Sequence, residues 1–368
     1  MDLNKILCQL FIEPTNGNQL GPKEWAVIIL VLRQQQLLAR FSYRWRNEGI
    51  FNLLPDYTKH HFRNAEILAE KQHRQVAFEA TELIHFLSGL HITPIFLKGA
   101  AYALTNNLGL GLGRTFSDID ILVPKESIEL VEQKLKIFGY FGEPLTSYDE
   151  NYYRSWTHEV PPLRHHARGT IIDIHHNLIP PVSGRAPDMK VFMRHIVKTA
   201  EGFCTLDLSA MTLHSIIHLF INEDFKNAFR DLTDLHLLFE DFSDDDWRKL
   251  VELSIETGFT LELILATRYC HLLLTTNIPS LVFNELEKYK PAKLRMLLLD
   301  FIFMRTLVPK HPLTGSPSQK VAVFFAFVRG HFLKMPFHIL LGHLTMKSFF
   351  WLRDALFGKH QFSPKRPG

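Results

Sequence analysis

Ser117-Asp118-Ile119-Asp120-Ile121-Leu122-Val123-Pro124 alternates short polar residues with branched apolar ones and then meets a proline. Alternation with period two marks a half-buried strand, and proline closes it because it has no N–H to give to a ladder. Residues two apart in a strand project from one face with Cα atoms about 6.6–7 Å apart. Asp118 and Asp120 are therefore expected to point together, with Ile119 and Ile121 on the opposite, buried face. Two adjacent carboxylates repel unless a cation lies between them or one takes a proton. Mg²⁺, or Mn²⁺ in its place, suits such a pair, because these ions prefer hard oxygen ligands and keep positions open for phosphates.

Upstream, Thr93-Pro94-Ile95-Phe96-Leu97 has the length and composition of a short buried strand, and Gly99–Leu104 is small and helix-favouring. Downstream, Ser127–Phe138 has an amphipathic helical period that Gly139 stops. Thr170-Ile171-Ile172-Asp173-Ile174-His175 then repeats the strand pattern, with Pro180-Pro181 beyond it. Asp is disfavoured in a strand interior, so Asp173 is the best candidate for a third carboxylate beside the pair. His175 shares its face, to orient Asp173, to touch a phosphate or simply to be hydrogen-bonded in the strand.

Before this region, helices are expected at Lys23–Arg40 and at about Ala65–Leu90. After about Met211 the period is almost wholly helical, with helices expected at 211–222, 228–240, 244–257, 260–274, 291–307 and 334–357. Ser243, with Asp246 three residues on, opens one of them as a capping box. The expected fold is α/β (α+β): a small mixed sheet with flanking helices and a C-terminal helical domain. The boundaries are 1–90 for an N-terminal helical segment, 91–205 for the core and 206–368 for the C-terminal domain.

Composition narrows the function. The 368 residues are 46% hydrophobic and 21% charged, which excludes wholesale disorder. A formal charge of +3 carries no basic excess, so tight nucleic-acid binding is not expected. Cys8, Cys204 and Cys270 are too few and too scattered for a disulfide framework, which favours a reducing, cytoplasmic setting. No apolar run approaches the roughly 20 residues that span a bilayer. From Arg329 to Gly368, seven Lys or Arg and one acid are interleaved with seven Phe or Trp. Such a tail either packs its aromatic face on preceding helices or lies on an anionic surface, peripheral to the inner membrane.

Leu97-Lys98-Gly99-Ala100-Ala101, Arg114-x-x-Ser117-Asp118-Ile119-Asp120-Ile121-Leu122-Val123, Ile172-Asp173-Ile174-His175 and Phe229-Arg230-Asp231-Leu232-x-Asp234-Leu235 together resemble a bacterial family of uncharacterised nucleotidyltransferases. That family belongs to the DNA polymerase beta-like superfamily, and the resemblance covers roughly residues 20–240. It implies that Asp118 and Asp120 are paired metal ligands, Asp173 is the third, and Gly99 faces nucleotide phosphates at a helix start. The superfamily's Gly-Ser or Gly-Gly before the pair is replaced here by Lys98-Gly99 and a longer loop, so Lys98 or Arg114 is expected to supply positive charge to the phosphates. Ser117 and His175 complete the expected nucleotide contacts. The implied activity is metal-dependent transfer of an NMP from an NTP to an unidentified acceptor, with pyrophosphate leaving. The alternative is a catalytically inactive binding or scaffold protein of the same fold, placed at the membrane in envelope polysaccharide assembly.

Other signals point less sharply. Gly109-Leu110-Gly111-Leu112-Gly113 follows a helix and precedes a strand, the reverse of a dinucleotide loop, and is expected to be a mobile cover or a plain connector. His214 and His218 have zinc-helix spacing without the general-base Glu and are expected to face the core. Arg230 and Asp234 are expected to pair along one helix face.

Overall fold

Strand β2 (Ile119–Leu122) is central to the sheet, and the computed structural model describes residues 3–105 and 109–357 around it. The other strands are β1 (Ile95–Phe96), β3 (Tyr140–Gly142), β4 (Leu163–His165), β5 (Ile171–His175), β6 (Ile196–Lys198) and β7 (Cys204–Leu206). Their order is β3-β4-β5-β2-β1-β7-β6. β2 runs antiparallel to β1 but parallel to β5, with Ile119 opposite Ile172, Asp120 opposite Asp173 and Ile121 opposite Ile174. The sheet is mixed, as the sequence pattern implies, and larger than the three strands read from it.

Sixteen helices are described: α1 (Leu3–Ile12), α2 (Pro22–Gln34), α3 (Leu38–Asn47), α4 (Asp56–Ser88), α5 (Lys98–Leu104), α6 (Ile128–Ile137), α7 (Ser147–Trp156), α8 (Met189–Met193), α9 (Leu208–Ile221), α10 (Ala228–Glu240), α11 (Asp244–Glu256), α12 (Thr260–Leu274), α13 (Ser280–Glu287), α14 (Lys293–Thr306), α15 (Pro317–Lys334) and α16 (Phe337–Phe357). Side-chain caps set several starts. Asp207 accepts from the Ala210 N–H at α9, and Ser243 and Asp246 form the expected capping box at α11.

Ile119 and Ile121 of β2 and Ile172 and Ile174 of β5 bury one sheet face against Val76, Ala80 and Leu83 of α4 and Val131 and Leu135 of α6. A second, larger core joins the N-terminal helices to the later ones, with Trp25, Phe41 and Trp45 in the same cluster as Phe220, Phe229 and Phe259. Burial of these aromatics ties α9 and α10 to the N-terminal helices, and α9 packs against β7 and α5.

The helices differ from the expected ones in two notable places. The helix expected over Lys23–Arg40 breaks after Gln34, where Gln36 takes a left-handed φ of 57°, and α3 starts at Leu38. Apolar residues recur on both sides of the break, so the period hides it. The run Val321–Val328 belongs to α15, and Pro336 separates that helix from α16 because proline cannot continue it. In the tail Leu340 is buried, while Leu344 is half exposed. Phe324, Phe325 and Phe332 of α15 are also exposed, as are Phe337 and Leu341 of α16. No described helix is long and apolar enough to cross a membrane. Residues 358–368 of the tail lie outside those described.

Candidate active site

The parallel register of β2 and β5 places Asp120 and Asp173 side by side on neighbouring strands, which run about 4.8 Å apart. Asp118 stands just before β2. Burial pushes its carboxyl up, and the negative charge of Asp120 adds to that. Asp173 is affected more strongly: burial first, then Asp120 and Asp118, push it up to about 8.

Asp120 behaves in the opposite way. Burial alone would raise it, but the Lys98 ammonium and the His175 imidazole outweigh burial and hold it well below the usual carboxylate range. Lys98 Nζ donates to Asp120 Oδ1 at 2.7 Å, and His175 Nε2 lies 2.8 Å from the same oxygen. An ionised carboxylate only accepts, so His175 Nε2 carries the proton. Lys98 opens α5 with a left-handed φ of 46°, a conformation non-glycine residues seldom take outside sites that over-determine it. Burial works against its charge, yet the Asp120 and Glu159 carboxylates hold the ammonium above its ordinary range.

A divalent cation fits this donor set. Asp173 Oδ1 is buried with no hydrogen-bond partner, and three neighbouring carboxylates face a single ammonium. Hard oxygen donors with an unsatisfied member match Mg²⁺ or Mn²⁺, and Asp118, Asp120 and Asp173 are the residues that would hold such an ion.

Beside the carboxylates lies a cleft of about 200 Å³, lined in part by Lys98, Gly99, Arg114, Ser117, Asp118 and Arg230. A second opening of about 260 Å³, lined by Gln72, Gln75 and Arg168 among others, reaches Ser117 and Asp118 from another side. Ser117 Oγ donates to Asp118 Oδ1 at 3.0 Å. Gly99 keeps the Phe116 ring close: a Cβ there would come to 3.1 Å from that ring and push it back by a few tenths of an ångström.

Arg114 lines the cleft but spends its guanidinium on structure. Its Nε donates to Asp234 Oδ2 at 3.1 Å, and Nη1 donates to the Thr115 carbonyl. Arg40 donates to the other oxygen of Asp234, to Thr233 Oγ1 at 3.1 Å and to the Leu110 carbonyl at 2.8 Å. Asp234 thus pairs with Arg40 and Arg114 rather than with Arg230, correcting the expected i, i+4 pair. Arg230 instead donates to Asp231 and to Gln36 at the cleft wall. The glycine run has a packing role as well. A Cβ at Gly111 would sit 2.8 Å from the Tyr102 carbonyl oxygen, and one at Gly113, with φ 70°, only 2.6 Å from the Arg40 backbone nitrogen.

His214 and His218 lie near Lys98 rather than in an isolated core. Burial, then the Lys98 charge, pulls His214 down to about 3 and holds His218 well below its usual value. Both stay neutral. Sequence patterning assigns no role to Arg40, His158 or Glu159, although Glu159 pairs across an isolated bridge with His175.

A mixed sheet that sets Asp118, Asp120 and Lys98 in a cleft, with Asp173 on the neighbouring strand beside Asp120, is the core of a nucleotidyltransferase-type protein. The chain belongs to the family described as Uncharacterised nucleotidyltransferase, which matches residues 21–275. Among curated proteins, no match is found.

Proposed function

We propose that the protein transfers a nucleoside monophosphate from an NTP to an acceptor hydroxyl, releasing pyrophosphate. The observation that carries this reading is the Asp120–Asp173 register, with Asp173 Oδ1 buried and unpartnered. Asp118 and Asp120 would hold a divalent ion against the triphosphate, and Asp173 would complete the set. Bound there, Mg²⁺ or Mn²⁺ supplies charge neutralisation to the phosphates and acidity to the acceptor hydroxyl.

The chain's own groups have separate tasks. Ser117 steadies Asp118, and His175 and Lys98 fix Asp120 in its ionised form. Lys98 and Arg230 face the cleft with positive charge for the phosphate oxygens, while Arg114 holds the cleft wall through Asp234. The two openings that meet at Ser117 and Asp118 give the donor and the acceptor separate approaches. In the reaction a bond forms between the acceptor oxygen and the α-phosphorus as the bond from that phosphorus to pyrophosphate breaks. The acceptor hydroxyl gives up its proton to solvent water, and pyrophosphate leaves with the bonding electron pair of the broken bond.

Mg²⁺ with an NTP should raise the melting temperature, since a ligand that binds only the folded state stabilises it. Asp118→Asn combined with Asp120→Asn should abolish the shift, and label from a radioactive NTP should reach an acceptor only with the wild type. An undiminished shift in the double variant would remove these residues from the nucleotide site.

A further inference from the structure

Next to the aspartates, and outside the lining of the nucleotide cleft, lie His158, Glu159 and His175. One ligand atom from each falls within 4.8 Å of the other two. Glu159 Oε2 is 3.6 Å from His175 Nδ1 and 3.8 Å from His158 Nε2. His175 is 1% exposed, and its Nδ1 has no hydrogen-bond partner. We propose that His158, Glu159 and His175 bind one transition-metal ion of the Zn²⁺ class, at a site separate from the three aspartates.

The tautomer of His175 is the first support. Asp120 accepts from Nε2, which leaves the Nδ1 lone pair directed towards Glu159. A ligating histidine whose other nitrogen donates to a carboxylate is a recurrent arrangement around zinc, because the carboxylate orients the ring and raises its basicity. His158 is the second support. Its Nδ1 is buried with no hydrogen-bond partner, and its Nε2 faces Glu159 Oε2 at 3.8 Å, too long for a hydrogen bond.

The backbone holds these groups in place. Glu159 bridges His175, the Val160 N–H donates to the Ile174 carbonyl at 3.0 Å, and the His176 N–H donates to the His158 carbonyl at 2.9 Å. The three residues are therefore laced to the end of β5 rather than carried on a free loop. Two imidazoles and one carboxylate form a donor set suited to Zn²⁺, whereas Mg²⁺ demands oxygen. Bonds of about 2.0–2.1 Å in a tetrahedron set ligand atoms roughly 3.3–3.4 Å apart. The two spacings from Glu159 need to close by only a few tenths of an ångström, and the two imidazoles, within 4.8 Å of one another, by about 1.5 Å at most. Glu159 is 30% exposed, and solvent reaches the fourth position from that side.

The test uses the full-length, metal-free protein with no nucleotide, so it does not depend on the transfer reaction. Zn²⁺ content after equilibrium dialysis and Co²⁺ titration followed by visible absorption are the readouts. One equivalent of metal is expected, with the intense Co²⁺ bands of a four-coordinate site. Glu159→Gln and His158→Gln should each weaken binding by more than the roughly 10–100-fold that loss of an outer partner costs. Asp118→Asn should bind as the wild type does. Glu159→Gln preserves shape at a partly exposed position, and its metal-free melting curve checks that it is folded. Wild type that retains no Zn²⁺ or Co²⁺ would overturn the proposal. So would binding that survives Glu159→Gln and His158→Gln but disappears with Asp118→Asn, which would place the ion among the aspartates.

Discussion

Beside the cleft, Arg40 and Arg114 share Asp234, whereas Asp118, Asp120 and Asp173 lie in the field of one ammonium, Lys98, which pairs with Asp120 alone. Both groups are buried or nearly so. In the first, each oxygen of Asp234 meets a guanidinium, and burial is outweighed by Arg114 and Arg40, which hold its carboxyl below the usual range. In the second, the one ammonium satisfies Asp120, while Asp173 is pushed up to about 8 and keeps an unpartnered oxygen. Buried charge that is fully paired fixes structure. Buried charge left unbalanced is stable only if something else arrives to balance it.

The comparison breaks most visibly at Asp234. Removing one partner of a buried pair leaves uncompensated charge, at a cost of about 3–5 kcal/mol. Asp234→Ala leaves two guanidiniums facing each other and should lower urea-unfolding stability by that amount. A loss below about 1 kcal/mol would mean that the Arg40–Asp234–Arg114 group does not hold the fold.

Asp173→Asn should do the reverse. Transfer is expected to fall at least about 100-fold, the scale of losing one preorganised electrostatic contact, while the metal-free protein stays as stable or becomes more so. The pH dependence has a definite sign. With its folded pKa raised from the ordinary 3.8 to about 8, Asp173 binds more protons folded than unfolded between those values. Stability of the metal-free protein therefore declines as pH rises from about 4 towards 8, and Asp173→Asn should flatten that decline. A steeper decline in the variant, or a clear drop in its melting temperature with transfer near normal, would make Asp173 a structural residue.

The unbalanced group is the more legible in sequence. Asp118, Asp120 and Asp173 interrupt β-branched runs, and a strand's period of two fixes their facing without any tertiary knowledge. The balanced group is not legible. Arg40 and Arg114 reach Asp234 across 194 and 120 residues, and the local i, i+4 spacing of Arg230 and Asp234 suggests a different pair. Strands β3, β4, β6 and β7 have three residues each, too few to show a period. His158 and Glu159 sit in an irregular stretch before Pro161-Pro162, where neither periodicity nor capping gives a signal. The glycine run reads as a free loop because close packing against the backbones of Tyr102 and Arg40 leaves no trace in sequence.

The smallest expected effect sharpens the contrast, and it falls on Arg230. This residue lies at the cleft wall beside both groups, and its own partners are Asp231 and Gln36 rather than Asp234. Burial, followed by the nearby Arg114 charge, pulls its guanidinium below the usual range, so its positive charge is poorly compensated without an anion in the cleft. Arg230→Gln should then change metal-free stability by less than about 1 kcal/mol, because its hydrogen bonds go to partly exposed groups. A charge-assisted hydrogen bond to a phosphate is worth about 1.5–3 kcal/mol, or roughly tenfold to a hundredfold in affinity. The apparent Kd for Mg²⁺-NTP, read from the thermal shift, should weaken by that factor. Arg114→Gln provides the control on the paired side: its main effect should be on unfolding, because it leaves Asp234 short of a partner. If the two variants behave alike, with both unfolding early or both losing nucleotide, Arg230 belongs to the structural group and the phosphate contact lies elsewhere.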